Sequence, residues 1–121
     1  MENKLVQEQP SPIKNDKLAV WDAVIVDMRN PMYSSEQEIA DLLIHDMQDR
    51  DAEGLRRYGT RLQPNNGRDA LIDALQEILD CAVYTKQAML EGEPNLGYVY
   101  SMILRMAVHI RRAIYNRIPG K

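Results

Sequence analysis

Residues 68–90 read RDALIDALQEILDCAVYTKQAML. Leu71, Ala74, Leu75, Ile78, Leu79, Ala82 and Val83 recur at three- and four-residue spacing. That period predicts an amphipathic helix over 68–90, with one broad apolar face. Its polar side carries Asp69, Asp73, Glu77 and Asp80 at intervals of four, four and three, with no Lys or Arg until Lys86. Surface helices usually compensate such a stripe at i+4. An uncompensated stripe points to a cation.

Three more helices are predicted around it. Leu18, Trp21, Val24, Ile25 and Met28 give a helix over about 17–28, capped by Asn15 or Asp16 and broken by Asn30-Pro31. Ser34 and Ser35 are N-cap residues, with Glu38 completing a capping box for a helix over about 36–58. Its stripe is Ile39, Leu42, Leu43, Met47 and Leu55, and Gly54 is a point where it can bend or stop. Asn65-Asn66-Gly67 signals a turn before the helix of 68–90, and Gly92-Glu93-Pro94 ends that helix. Asn95 then caps a helix over about 96–117, with Val99, Met102, Ile103, Met106, Ile110, Ala113 and Ile114 as its stripe and Pro119-Gly120 as its stop.

No segment reads clearly as a strand. The expected fold is therefore all-α: a four-helix bundle over 15–121 as one domain, preceded by a flexible polar tail over 1–14. A length of 121 residues suits one domain. Hydrophobic residues at 45% supply a core, and with no Phe and one Trp it must be built from Ile, Leu, Met, Val and Ala. Long apolar stripes on a unit this small predict self-association.

Net charge is −3, which argues against binding a nucleic-acid polymer. No apolar run approaches the ~20 residues that span a bilayer, and residues 1–17 lack the apolar core of a signal peptide. The expected location is the cytoplasm. The single cysteine, Cys81, reads as a small core residue. His45 and His109 read as structural or surface residues.

Chemistry concentrates in two acidic pairs, Asp46/Asp49 and Glu77/Asp80. Each has i, i+3 spacing, so its carboxylates share one helix face. Packed side by side, the two helices would converge four carboxylates, and a hard divalent ion such as Mg²⁺ or Mn²⁺ would relieve their repulsion. Phosphate charge also wants cationic donors. Arg57, Arg61 and Arg68 flank the loop between the pairs, and Arg105, Arg111 and Arg112 lie on the last helix. Asn66 can read a base edge with its amide, and Tyr58 or Tyr84 can stack on a base.

The run Gln76-Glu77-Ile78-Leu79-Asp80-Cys81-Ala82-Val83-Tyr84 resembles the second metal motif of the MazG-like, all-α nucleoside triphosphate pyrophosphohydrolases. Asp46-x-x-Asp49 is the counterpart of that family's first, Glu-x-x-Glu motif. The loop from Arg57-Tyr58-Gly59-Thr60 through Asn66-Gly67-Arg68-Asp69 resembles small phage-type members. The resemblance covers Asp46 to Met89, about a third of the chain. Two departures stand out: the first motif has Asp for Glu, and His45 takes the place of a preceding Glu.

The resemblance implies Mg²⁺-dependent hydrolysis of (deoxy)nucleoside triphosphates to monophosphate and pyrophosphate. Asp46, Asp49, Glu77 and Asp80 would be the metal ligands and Asp73 the proton acceptor. Arg57, Tyr58, Asn66, Arg68, Tyr84, Arg105 and Arg112 would contact substrate. It also implies a homodimer or homotetramer, placed in the host cytoplasm if phage-encoded. The alternative is a protein that binds a nucleotide or cyclic nucleotide without turnover, as a sponge in phage counter-defence. A helical interaction module with no ligand is the third reading.

Overall fold

A computed structural model describes residues 8–117, so the sequence-based expectations for residues 1–7 and for the stop at Pro119-Gly120 lie outside the described residues. The described chain is all-helical, with α1 (Val20–Met28), α2 (Gln37–Tyr58), α3 (Ala70–Leu90) and α4 (Gly97–Tyr115) and no strand. Helix positions agree with the hydrophobic periodicity to within about three residues. No helix among the described residues is long and apolar enough to cross a membrane.

Contacts divide the chain into two compact units at Arg68/Asp69, rather than at the 14/15 boundary read from composition. The first unit, Gln9–Arg68, holds α1 packed on α2. α2 turns Ala40 and Ile44 inward and leaves Ile39, Leu42 and Leu43 exposed. Three residues of the expected stripe therefore face outward, while Ile44, outside that stripe, is buried. α2 runs through Gly54 without a break. It ends at Gly59, whose φ of +74° closes the C-cap as its N–H donates to the Leu55 carbonyl.

Arg61 fastens this unit. Its guanidinium donates to both carboxylate oxygens of Asp51 on α2 and to those of Asp22 on α1. The hydrogen bond from Arg61 holds the Asp22 carboxyl below its usual range. Two carboxylates, Asp51 foremost, push the Arg61 pKa higher still. The Asp51 side chain is only 15% exposed. Arg61→Ala would strand it, and chemical denaturation of that variant is expected to show a loss of about 2 kcal/mol.

Residues 10–20 lie along the 59–68 loop. Ile13 N–H donates to the Asn66 carbonyl at 2.8 Å, and Val20 N–H to that of Leu62 at 2.8 Å. The Gln63 amide donates to the carbonyls of Asn15 and Lys17, while its oxygen accepts from Asn15 N–H. Arg68 Nη1 reaches the Pro10 carbonyl at 2.8 Å. Gly67 has φ +87°, and a Cβ there would stand 3.3 Å from the Ile13 side chain, so no other residue fits cheaply. The polar stretch expected as tail through residue 14 is thus hydrogen-bonded to the loop from Pro10 onward.

Capping differs from the sequence signals. Asn15 is spent on the loop, and the N-cap of α1 is Ala19, which makes no side-chain cap. Ser34 and Ser35 do not cap α2. Its N-cap is Glu36, whose N–H donates to Ser34 Oγ. Leu96, not Asn95, is the N-cap of α4, and Asn95 takes a left-handed φ of 65°.

In the second unit, from Asp69 onward, α3 and α4 pack as an antiparallel hairpin across a short turn. Ile72, Leu75, Ala82, Ile103 and Ala107 are its buried residues. Asp69, read as the start of the acidic stripe, is the N-cap of α3: its Oδ1 accepts from the N–H groups of Leu71 and Ile72. Its Oδ2 accepts from Arg117 at 2.7 Å, tying the start of α3 to the second residue after α4. The Arg117 hydrogen bond, opposed by partial burial and helped by the cap, keeps the Asp69 carboxyl below its usual value. A lowered folded-state pKa adds stability that is full above the unfolded value of ~3.9 and fades as pH falls through the folded value. Asp69→Asn retains a cap but loses the charge. Its melting temperature is therefore expected to lie below wild type at neutral pH, and the gap to close in acid; a constant gap would mean that the charge plays no part.

Candidate functional site

α3 sets the chemistry of the second unit. Its four-residue periodicity puts Glu77, Asp80 and Tyr84 on one side, next to the α4 entry. Glu77, Asp80, Cys81, Tyr84, Thr85 and Ala88 of α3, with Leu96 and Val99, line a cleft of about 640 Å³. That lies within the range for small-molecule sites. The lining joins two carboxylates and an exposed aromatic ring to a thiol, a hydroxyl and three apolar side chains. Cys81, expected in the core, is exposed on this cleft.

Of the other expected site residues in this unit, Asp73 is half-buried on α3, one turn before Glu77. Arg112 lines a different groove on the hairpin, of about 920 Å³, together with Arg111, Leu75, Leu79, Leu104 and Val108. Arg105 is exposed on α4. The cleft holding Glu77 and Asp80 thus has no arginine in its lining.

The remaining expected residues belong to the Gln9–Arg68 unit. Asp46 and Asp49 are exposed on α2, and His45 Nδ1 stands 3.4 Å from Asp49 Oδ2. The Arg57 guanidinium lies over the Tyr58 ring, 5.4 Å from its centre. Asn66, expected to read a base edge, is buried, and its Oδ1 accepts from Arg68 N–H. The Arg68 side chain reaches back to Pro10. Asn66 and Arg68 thus take part in holding the loop.

Among the described residues, no three His, Cys, Asp or Glu side chains are gathered as a preformed metal site. The Glu77/Asp80 pair nonetheless fits Mg²⁺ in one respect. That ion is commonly held by one or two carboxylates and keeps its other positions for water and substrate phosphates. Of the residues lining this cleft, the sequence reading names both carboxylates and Tyr84. It missed Thr85, Leu96 and Val99, whose place in the cleft depends on how α4 docks and carries no motif.

No protein-family model, curated protein or solved structure matches this chain.

Proposed function

We propose that this protein binds a nucleotide and, with Mg²⁺ or Mn²⁺, hydrolyses (deoxy)nucleoside triphosphates to nucleoside monophosphate and pyrophosphate. The observation that carries the proposal is the cleft in which Glu77, Asp80 and Tyr84 stand together. Tyr84 stacks on the base, with Leu96 and Val99 as apolar neighbours in the cleft lining. Glu77 and Asp80 hold the cation, with Asp46 and Asp49 as the second carboxylate pair. A bound divalent cation would neutralise phosphate charge and lower the pKa of water. Asp73, one turn before Glu77, accepts the proton of the attacking water. Arg57, Tyr58 and Arg105 are the further substrate contacts, while Asn66 and Arg68 hold the loop and Arg112 lines the other groove.

In the same proposal the helices form a four-helix bundle completed by self-association as a homodimer or homotetramer, working in the cytoplasm. Support comes from the exposed Ile39, Leu42, Val83 and Val108, and from the absence of any large fully buried side chain among the described residues. A second reading, nucleotide binding without turnover, is favoured by one observation: Asp49 is partnered by His45 on its own helix.

The test is product release from a panel of canonical and modified triphosphates with Mg²⁺ or Mn²⁺. Monophosphate with pyrophosphate is the expected result. Tight nucleotide binding by calorimetry with no product would select the second reading.

A further inference from the structure

The hairpin's second groove differs from the nucleotide cleft. Leu104 and Val108 of α4, with Leu75 and Leu79 of α3, make an apolar floor bordered by Arg111 and Arg112. Val108 is 63% exposed there, and Leu79 is 45% exposed. α4 carries no Asp or Glu along its whole length. Desolvating these side chains would favour association, but only an occupant with matching charge would settle against the two guanidiniums.

This chain carries such a surface. Ile39, Leu42 and Leu43 form an exposed apolar patch on the first turns of α2, facing away from the Ala40 and Ile44 that pack inward. Glu36 and Glu38 border that patch at its N-terminal end, and α2 has no Lys or Arg before Arg50. Along a helix, Glu36/Glu38 and the patch centre are about 6–7 Å apart, and Arg111/Arg112 and the Leu104/Val108 pair about 8 Å apart. An antiparallel α2 therefore lays its apolar patch on the groove floor while its glutamates meet the arginines. Antiparallel helix dipoles favour the same direction. α4 against α4 would instead bring like charges together.

We propose that the Leu104/Val108 groove receives the first turns of α2 from a second copy of this chain, with Glu38 against Arg111. The contact pairs two different surfaces, the α2 of one copy and the groove of another. The proposal rests on the self-association put forward above and names its surface.

The experiment is sedimentation velocity on the full chain at micromolar concentration, with circular dichroism to verify folding. Val108 and Leu42 are both exposed, so charged replacements leave the unit cores intact. Val108→Asp and Leu42→Asp are each expected to weaken association by at least roughly tenfold. Arg111→Glu is expected to weaken it too, and Glu38→Arg to restore it in the double variant. In a Cys81→Ser background, Leu42→Cys with Val108→Cys is expected to give a disulfide-linked dimer on a non-reducing gel. A monomeric wild type would overturn the surface and the self-association together. A wild-type oligomer indifferent to Val108→Asp and Leu42→Asp would overturn the surface alone. A disulfide closing within one chain would replace the second copy by the chain's own α2.

Discussion

Replacing Glu77 with alanine is expected to lower triphosphate turnover by about a hundredfold or more, the scale seen when one charge-stabilising group is removed from an active site. Glu77 is exposed on the cleft wall, so its loss costs the fold little, and the melting temperature should stay near wild type. Glu77→Gln separates charge from shape. It keeps the side-chain volume and one oxygen but removes the negative charge that a divalent cation requires. If it falls as far as alanine, the charge is what matters. Half-maximal metal concentration should rise in both variants, a readout that a merely structural glutamate would leave unmoved. Unchanged turnover in Glu77→Ala would remove the cleft from the chemistry. If wild type binds nucleotide without product and Glu77→Ala binds it equally well, the protein sequesters its ligand.

The largest stability effect is expected from Leu75→Ala, at about 3 kcal/mol by denaturant or thermal unfolding. Leu75 is the most buried residue described, at 2% exposure, on the side of α3 that meets α4. Truncation removes three carbons from this contact, and few other large side chains can take over. Ile72 and Ile103 are the other large aliphatics buried in the hairpin, while Ala82 and Ala107 are small. Leu75 also lines the open groove, which places the cost below the upper end of the known range. Val83→Ala is the control. At 65% exposure that side chain has little apolar contact to lose, and a change within about 0.5 kcal/mol is expected.

The helices were legible because each carries a sustained apolar period and is bounded by Gly, Pro or Asn. The face each helix buries was less so. In α2 the spacing of Ile39, Leu42 and Leu43 suggests the inward stripe, yet Ala40 and Ile44 are the buried pair. Periodicity fixes which residues share a face but not which face meets a neighbour. A chain whose apolar surface is divided between its own packing and another partner gives two stripes. The α3 carboxylates could be read because i, i+3 spacing is local. Arg61 could not be placed, since its partners Asp22 and Asp51 are 39 and 10 residues away in sequence. Asn66 and Asp69 read as ligand and stripe residues, but Asn66 helps to close the loop and Asp69 caps α3 and pairs with Arg117.

The pairing of Asn15 with Gln63 has a consequence for the order in which the chain becomes native. These residues are 48 apart. The α3–α4 hairpin, by contrast, closes across a short turn, so its contacts can form while the rest of the chain is still searching. Bringing residues 10–20 onto the 59–68 loop means closing a segment that includes α1 and α2, at an entropic cost that grows with the logarithm of its length. That cost is smallest once the two helices have docked and brought the ends close. The run from Pro10 to Lys17 is therefore the last piece to seat and the first to lift. During hydrogen exchange, the amides of Ile13, Asn15 and Val20 should open well before those in the middle of α2.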